Sequence, residues 1–442
     1  MKPKIYLLVL CGAGDRPIQV LGHRTPLEAA ATEHLDALAE RGVQGMLTVI
    51  DDKICPESDS GIMALLGYDP LRYYTGRGAL EALGLGFMEP GDNAVGFRIN
   101  FASYNADDGT LDRRTARDLS YDEQQQLVAE IREARPLRDF PGLSYAILGF
   151  GRHRGIVCFK SATFPLGANV TNTDPGFRKV GPFGVPNDKF EPKPQECLPL
   201  DDAEGSAMTA KVVNRFVRET AEVLARSDVN SQRRRRGARP ANLLLFRDAG
   251  AQMPSLRSFS ERYGRTLSLY GQVPAEHGLC KLVGGKWNES RLGPGEDEDD
   301  YYQRLVTAVR RDPSDVVVIH IKGADEPGHD GLPHEKVRAI ERFDHVFLRR
   351  LLEVGEEDAV YVITGDHTTP CELGIHSADP VPTLVSARAL AADGTRTFCE
   401  REAARGGLEV SRAADLLPHL ERLLSASAAS HPAGAFPGGT AR

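Results

Sequence analysis

Ile5-Tyr-Leu-Leu-Val-Leu10 runs without a polar break into Cys11-Gly-Ala-Gly-Asp15. An alternating pattern would mark a strand with one wet face; six apolar residues in a row mark a strand covered on both faces, and the glycines turn the chain at its end. The pattern returns in Asp315-Val-Val-Val-Ile-His320 and Ala359-Val-Tyr-Val-Ile-Thr364, with the long charged helix pattern Pro333–Val354 between them. Leu243–Phe246 reads as a third run of this kind and Met46–Ile50 as a further apolar stretch. Near the start, Thr25-Pro26 opens a helical spacing over Leu27–Arg41, with Ala30, Leu35 and Leu38 toward one face and Gly42 closing it. Strand, helix, strand at these spacings predicts an α/β fold with a parallel-rich sheet flanked by helices.

At 442 residues the chain exceeds one ordinary core, so two domains or a large insertion are expected. Hydrophobic residues at 41% and charged residues at 26% fit a globular protein and exclude a disordered chain, a collagen or a membrane bundle. A net charge of −8 offers no global basic field for nucleic acid or an anionic membrane. Seven scattered cysteines without a C-x-x-C pair read as reduced thiols. The six-residue apolar start is too short for a signal-peptide core or a membrane span, so a cytoplasmic location is expected.

Between Gly91 and Pro192 the runs are shorter and mixed in polarity, as in a small α+β module. The expected divisions are a first part of the main domain at 1–88, an inserted α+β domain at 89–192, the rest of the main domain at 193–424, and a disordered Ala/Ser/Gly/Pro tail at 425–442. Phe164–Lys193 reads as a linker, and the arginine block Arg233–Arg236 as a solvated loop.

Three segments concentrate metal-ligand residue types: Asp325-Glu-Pro-Gly-His329 and Asp366-His367, each just after a predicted strand, and His376 within Gly374–Pro382. Carboxylate oxygen with imidazole nitrogen suits Mn²⁺ or Zn²⁺, and the carboxyl ends of parallel strands are where an open sheet places its site. A lone pair of this kind would be a capping Asp and a surface His; three in equivalent positions argue for a centre. In Pro56-Glu-Ser58-Asp59-Ser60-Gly61, Ser58 has two readings. Ser58 or Asp59 is a helix N-cap, worth about 1 kcal/mol. Alternatively, Ser58 is a hydroxyl at a helix N-terminus beside a metal, poised to attack phosphorus.

Tyr73-Tyr-Thr-Gly-Arg-Gly78 after Leu66-Gly-Tyr-Asp-Pro70, together with Gly14-Asp-Arg-Pro17, Asp112-Arg-Arg114, Asn242–Gly250 and the metal segments, resembles the archaeal-type cofactor-independent phosphoglycerate mutases of the alkaline phosphatase superfamily. The resemblance runs from Lys4 to about Val385. It implies a two-metal phosphatase-like domain with an inserted substrate lid. One metal would be held by Asp325, His329 and His376, the other by Asp366, His367, the nucleophile Ser58 and the residue ending the first strand. It further implies interconversion of 3-phosphoglycerate and 2-phosphoglycerate through a phosphoserine at Ser58, one or two divalent ions (Mn or Zn), no 2,3-bisphosphoglycerate, and a small anionic phosphorylated substrate as partner, with the oligomeric state left open. Guanidinium forks match phosphate and carboxylate, so Arg77, Arg113 and Arg114 are substrate-binding candidates, with Asp112, Asp15 and Arg16 beside them.

The chain departs from that family at Cys11, where an Asp opens the family's Asp-Gly-x-Gly-Asp-Arg-Pro pattern. Three readings stand. Cys11 ligates as a thiolate and shifts preference from Mn²⁺ toward Zn²⁺; the second metal is weak or absent; or the sulfur merely caps a buried strand. Gly374-Ile375 before His376 is a lesser departure. The alternatives to a mutase are transfer of a phosphoryl or phosphonyl-type group to or from a phosphoglycerate-like acid, a phosphatase, and a non-catalytic binding protein.

Overall fold

The structure is a computed structural model that describes residues 2–105, 107–113, 118–187, 189–253, 255–293, 295–353 and 358–430. The chain forms two compact units. The first comprises Met1–Arg72, Arg257–Gln272 and Val283–Arg442, and the second Tyr73–Leu256 with Val273–Leu282.

The first unit is built on a seven-stranded sheet. In spatial order its strands are Lys286–Glu289, Leu267–Gly271, Val316–Ile321, Ile5–Leu10, Val360–Thr364, Val381–Ser386 and Val43–Leu47. The first five are parallel, and each of the last two runs antiparallel to its inner neighbour. Every residue of Ile5–Leu10, Val316–Ile321 and Val360–Thr364 is buried, as their unbroken apolar runs require. Ile5 to Leu10 pair in register with Val316 to Ile321 on one side, and Ile5 to Val9 with Val360 to Thr364 on the other. The carboxyl ends of the three central strands therefore finish level with one another, and the turns leaving them share one rim of the sheet. The predicted Leu27–Arg41 helix is two helices, Pro26–Ala29 and Glu33–Ala39. The first is closed at Ala30 by extended backbone, and Thr25 caps its start.

The second unit is an antiparallel assembly. Its sheet runs Thr110–Asp112, Ala94–Asn105, Arg154–Ser161, Leu143–Gly151, and Leu243–Gly250 also pairs antiparallel with Ala94–Asn105. Leu243–Phe246, expected beside the central parallel strands, thus belongs to this other sheet; a buried run fixes that a strand is covered, and its partner is chosen by long-range pairing. The unit starts earlier and ends later than the 89–192 insertion read from the sequence. The helix Arg77–Gly84 packs on Ala94–Asn105, and the long helix Glu204–Arg226 packs on Leu243–Gly250. Phe97, Phe159, Phe216 and Phe246 meet at the centre of its core. The supposed linker Phe164–Lys193 contains the hairpin Phe177–Val180 with Phe183–Pro186.

Two other expectations are corrected. Arg233 is fully buried, on the helix Asp228–Arg235, and its guanidinium pairs with Glu123 at 3.0 Å and Asp118 at 2.5 Å. The arginine block is therefore a structural clasp at its first position, not a solvated loop. The last helix, Ala413–Ser430, carries regular structure six residues into the stretch read as a disordered tail, and 431–442 lie outside the described residues. No helix among the described residues is long and apolar enough to cross a membrane.

Candidate active site

Each turn at the rim of the first unit delivers polar side chains to a common point. Cys11 follows the Ile5–Leu10 strand, His320 is the penultimate residue of Val316–Ile321 and Lys322 follows that strand, and Asp366-His367 come just after Val360–Thr364. Asp325 and His329 occupy a short helix, Asp325–His329, one turn further on, and His376 lies in the loop before Val381–Ser386. Gly12 makes its turn with φ +63°, where a Cβ would stand 2.8 Å from Asp325 Oδ1. A side chain there would meet both strain and a ligand-type residue.

Ser58 begins the helix Ser58–Leu65, whose cap is Glu57. The N-cap reading of Ser58 and Asp59 therefore fails. The Ser58 hydroxyl instead accepts a hydrogen bond from Lys322 Nζ at 2.8 Å and lies 3.7 Å from Cys11 Sγ. The helix comes this close because residue 61 is glycine: a Cβ there would sit 2.9 Å from Asp366 Cβ and on top of the Asp366 carbonyl.

Asp325, His329 and His376 form one donor group. The two Nε2 atoms stand 3.2 Å apart, and Asp325 Oδ1 is 3.5 Å from His329 Nε2 and 3.6 Å from His376 Nε2. The opposite nitrogens are committed elsewhere: His329 Nδ1 to the Gly374 carbonyl at 3.0 Å, and His376 Nδ1 to the Pro56 carbonyl at 2.9 Å. With Nδ1–H donating outward, both Nε2 atoms present lone pairs to each other and to a carboxylate. Three acceptors facing one another suit a cation between them. Their separations match the edges of a tetrahedron about an ion at 2.0–2.1 Å, which are about 3.3–3.4 Å.

The second group surrounds Cys11. Its Sγ lies 3.3 Å from Asp366 Oδ2 and 3.5 Å from His367 Nε2, and Asp366 Oδ2 is 3.3 Å from His367 Nε2. His367 Nδ1 meets Thr369 Oγ1 at 3.0 Å, which holds the ring, and His320 Nε2 meets Asp366 Oδ2 at 3.0 Å. Cys11, His320, Asp366 and His367 are all fully buried. This set also fits a cation, and the sulfur points into the group and does not merely cap the strand. Burial, with the Asp366 charge adding to it, pushes the Cys11 thiol up to about 11. Burial lowers His367 to about 3, so its imidazole is neutral and available as a ligand. For Asp366 and Asp325 burial acts upward, but it is outweighed. The hydrogen bond with His320 and the Lys322 ammonium hold Asp366 well below the usual carboxylate range, and the Lys322 ammonium acts the same way on Asp325.

The remaining first-unit candidates have other partners. Asp15 Oδ2 accepts from Lys336 Nζ at 2.8 Å and its carboxylate also accepts from the Cys371 and Arg16 amides, while exposed Arg16 pairs with Asp379 at 2.8 Å. Asp15 is therefore a post inside the rim and not a substrate contact.

In the second unit Arg77 pairs with Glu81 at 2.8 Å, and Glu81 also faces Arg98 at 3.5 Å. Arg98 is in register with Arg247 on the neighbouring strand. Burial lowers Arg98 to about 9, with the like charges of Arg77, Arg247 and Arg154 adding to it against Glu81. Three buried guanidiniums thus gather near Glu81, and Arg247 pairs with Asp248 at 2.6 Å. Arg113 forks onto buried Asp174, with one contact of 3.0 Å, and lies over the rings of Phe177 and Phe190. Asp112 is joined to Arg239 at 2.6 Å, and Arg114 lies outside the described residues.

His320, Lys322, Arg98 and Arg247 were not singled out from the sequence. For His320 and Lys322 the signal was present: a histidine next to last in an otherwise apolar strand, and a lysine three residues before Asp325. Arg98 and Arg247 sit in strands whose pairing no local pattern reveals.

A sequence model described as 2,3-bisphosphoglycerate-independent phosphoglycerate mutase matches residues 39–230. The 2,3-bisphosphoglycerate-independent phosphoglycerate mutase of Aeropyrum pernix is 37% identical over 394 residues, covering 87% of this chain and 90% of that protein. Among solved structures, the PH0037 protein of Pyrococcus horikoshii superposes with a TM-score of 0.75 at 29% identity, covering 98% of this chain and 100% of that one. The cofactor-independent phosphoglycerate mutase of Thermoplasma acidophilum does so with a TM-score of 0.61 at 29% identity, over 96% and 100%.

Proposed function

The chain belongs to the 2,3-bisphosphoglycerate-independent phosphoglycerate mutases, and we propose that it interconverts 3-phosphoglycerate and 2-phosphoglycerate through a phosphoserine at Ser58. The observation that carries this is the Ser58 hydroxyl at a helix start, 2.8 Å from an ammonium and beside two facing donor groups.

Asp325, His329 and His376 would hold one divalent cation; Cys11, Asp366, His367 and Ser58 would hold another. Bound there, the ions lower the serine pKa and neutralise charge on the transferring oxygens. Lys322 fixes the Ser58 oxygen, and its positive charge favours the alkoxide over the alcohol. The positive end of the Ser58–Leu65 helix dipole favours a phosphoryl group carried by Ser58. The serine takes the group from one oxygen of the glycerate and returns it to the other, so no second phosphorylated compound is consumed. Arg98 and Arg247, each with a buried Nε lacking a partner, are guanidiniums suited to the substrate's anionic groups, with Arg77 beside them and Arg113 oriented by Asp174 for the same task.

Cys11 shapes the choice of metal. A thiolate is softer than a carboxylate and presents one large donor, so the Cys11 group favours Zn²⁺ or Co²⁺ over Mn²⁺. The test follows phosphorus by NMR with 3-phosphoglycerate and each metal in turn. The expected result is 2-phosphoglycerate with the wild type and none with Ser58→Ala. Free phosphate alone would replace the mutase by a phosphatase, and no turnover with any metal would leave a binding protein. Cys11→Asp moves the preference toward Mn²⁺ if the sulfur is a ligand; an unchanged preference removes it from the ligand set.

A further inference from the structure

Outside the Cys11–Ser58 centre, a second set of metal-type donors is assembled on the first unit. Glu33 and His34 open the helix Glu33–Ala39, and His345 lies on Phe343–Leu348, a π-helical segment that interrupts the long helix expected from Pro333 to Val354. One donor atom from each of Glu33, His34 and His345 lies within 4.8 Å of the others. His34 Nε2 is 3.8 Å from Glu33 Oε1, and the two rings meet edge-on with centroids 6.3 Å apart.

What separates this group from a chance pair of surface histidines is Asp344. Its side chain is fully buried, and it accepts from the His34 and Leu35 amides at 3.2 and 2.7 Å. It also meets His34 Nδ1 at 2.9 Å, and His345 Nδ1 lies 3.4 Å from the same oxygen. A carboxylate accepting from Nδ1–H fixes the tautomer, orients the ring and leaves Nε2 as the lone-pair donor, which is the arrangement that supports imidazole ligands of zinc. π-Helical turns recur at functional positions, and this one carries both Asp344 and His345.

We propose that Glu33, His34 and His345 form an additional metal site, with Asp344 as the carboxylate behind the His34 imidazole. Two nitrogens and one oxygen select a borderline cation, Zn²⁺ before Co²⁺ or Ni²⁺, over Mg²⁺ or Ca²⁺. Donors on one tetrahedral ion are about 3.3 Å apart, so closing from the present spacing asks only for side-chain rotation of exposed Glu33 and His345. Water fills the fourth position. The ion joins the Glu33–Ala39 helix to the Phe343–Leu348 segment, and the site shares no residue with the Ser58 centre and does not depend on the mutase reading.

The test uses the full chain stripped of metal, with Zn²⁺ alone as the probe, and counts bound equivalents by equilibrium dialysis. Wild type is expected to hold one equivalent more than His345→Ala, while both turn over 3-phosphoglycerate equally when saturated with their preferred metal. Glu33→Gln, at a position too exposed to affect folding, is expected to weaken that same equivalent at least tenfold. Equal equivalents and affinities in wild type, His345→Ala and Glu33→Gln would overturn the site.

Discussion

Replacing Lys336 with Met removes a fully buried ammonium whose three protons are all used: on the Gly14 carbonyl at 3.0 Å, on the Thr369 carbonyl at 2.9 Å and on Asp15 Oδ2 at 2.8 Å. Gly14 is three residues beyond Cys11, Thr369 is two beyond His367, and Lys336 itself follows His329 by seven, so one side chain ties together three turns that carry the donor groups. Met keeps most of the volume, which makes the loss electrostatic. Breaking a buried pair from one side costs about 3–5 kcal/mol, because the other charge stays behind. Asp15 retains the Arg16 and Cys371 amides, which argues for the lower end, while two carbonyls losing a donor add about 1 kcal/mol each. We therefore expect about 4 kcal/mol from urea unfolding followed by fluorescence of Trp287, the single tryptophan and a residue of the first unit's sheet. The double variant Lys336→Met/Asp15→Asn removes both charges and should recover at least half of that loss. Metal affinity at the rim should fall 10–100-fold in Lys336→Met, the usual effect of removing a group that orients ligands. A loss under about 1 kcal/mol, or a double variant as costly as the sum of its singles, would refute the idea that this lysine organises the rim.

Three other perturbations separate packing from charge. Gly61→Ala drives a methyl into the Asp366 carbonyl, so Ser58–Leu65 must shift, and turnover of 3-phosphoglycerate should drop at least tenfold while far-ultraviolet circular dichroism stays unchanged; full activity would show that the helix can approach from elsewhere. Burial raises Glu400 to about 7, against hydrogen bonds from the Thr25 hydroxyl and the Asp15 amide. An acid raised in the folded state contributes stability below its unfolded value near 4.5 and loses it as pH climbs through 7, so Glu400→Gln should flatten the fall in stability between those limits; an unaltered slope would exclude the residue. Arg98→Met relieves repulsion from Arg77, Arg247 and Arg154, so the substrate-free chain should melt higher while the apparent KM for 3-phosphoglycerate rises at least tenfold; a lower melting temperature with unchanged KM would make Arg98 a purely structural residue.

The central sheet was legible because buried parallel strands write themselves as unbroken apolar runs, and the donors were legible because they follow those runs directly. Ile5–Leu10 announces Cys11, and Ala359–Thr364 announces Asp366-His367. Position along the chain and position on the rim coincide there, so spacing alone was informative. That coincidence fails for Leu243–Gly250. Its first half, Leu243–Phe246, is as apolar as the central strands, yet it pairs with Ala94–Asn105, about 150 residues earlier, and that pairing brings Arg247 opposite Arg98. A guanidinium pair created by antiparallel register has no local signature, and neither has the buried fork of Arg113 on Asp174.

Asp15 shows a subtler failure. A carboxylate next to an arginine in a glycine-rich turn has the composition of a substrate contact, and nothing nearby in the sequence says that its charge is already answered. The answer comes from Lys336, 321 residues away. The same reasoning assigns Lys322 more weight than composition gives it: among the described residues its ammonium meets both the Ser58 hydroxyl at 2.8 Å and the Cys11 sulfur at 3.2 Å. A cation in contact with nucleophile and sulfur together favours the anionic form of either, whereas burial and Asp366 hold the Cys11 proton in place. Substitution at position 11 therefore acts on Ser58 by two routes, through the ion the sulfur would share with it and through Lys322, whose charge the two side chains divide. Cys11→Ser separates them, since it removes the soft ligand but leaves a neutral acceptor for Lys322. A selective loss of Zn²⁺ affinity with Lys322 still required for activity would assign Cys11 to the metal, and a parallel loss of both would assign it to the ammonium.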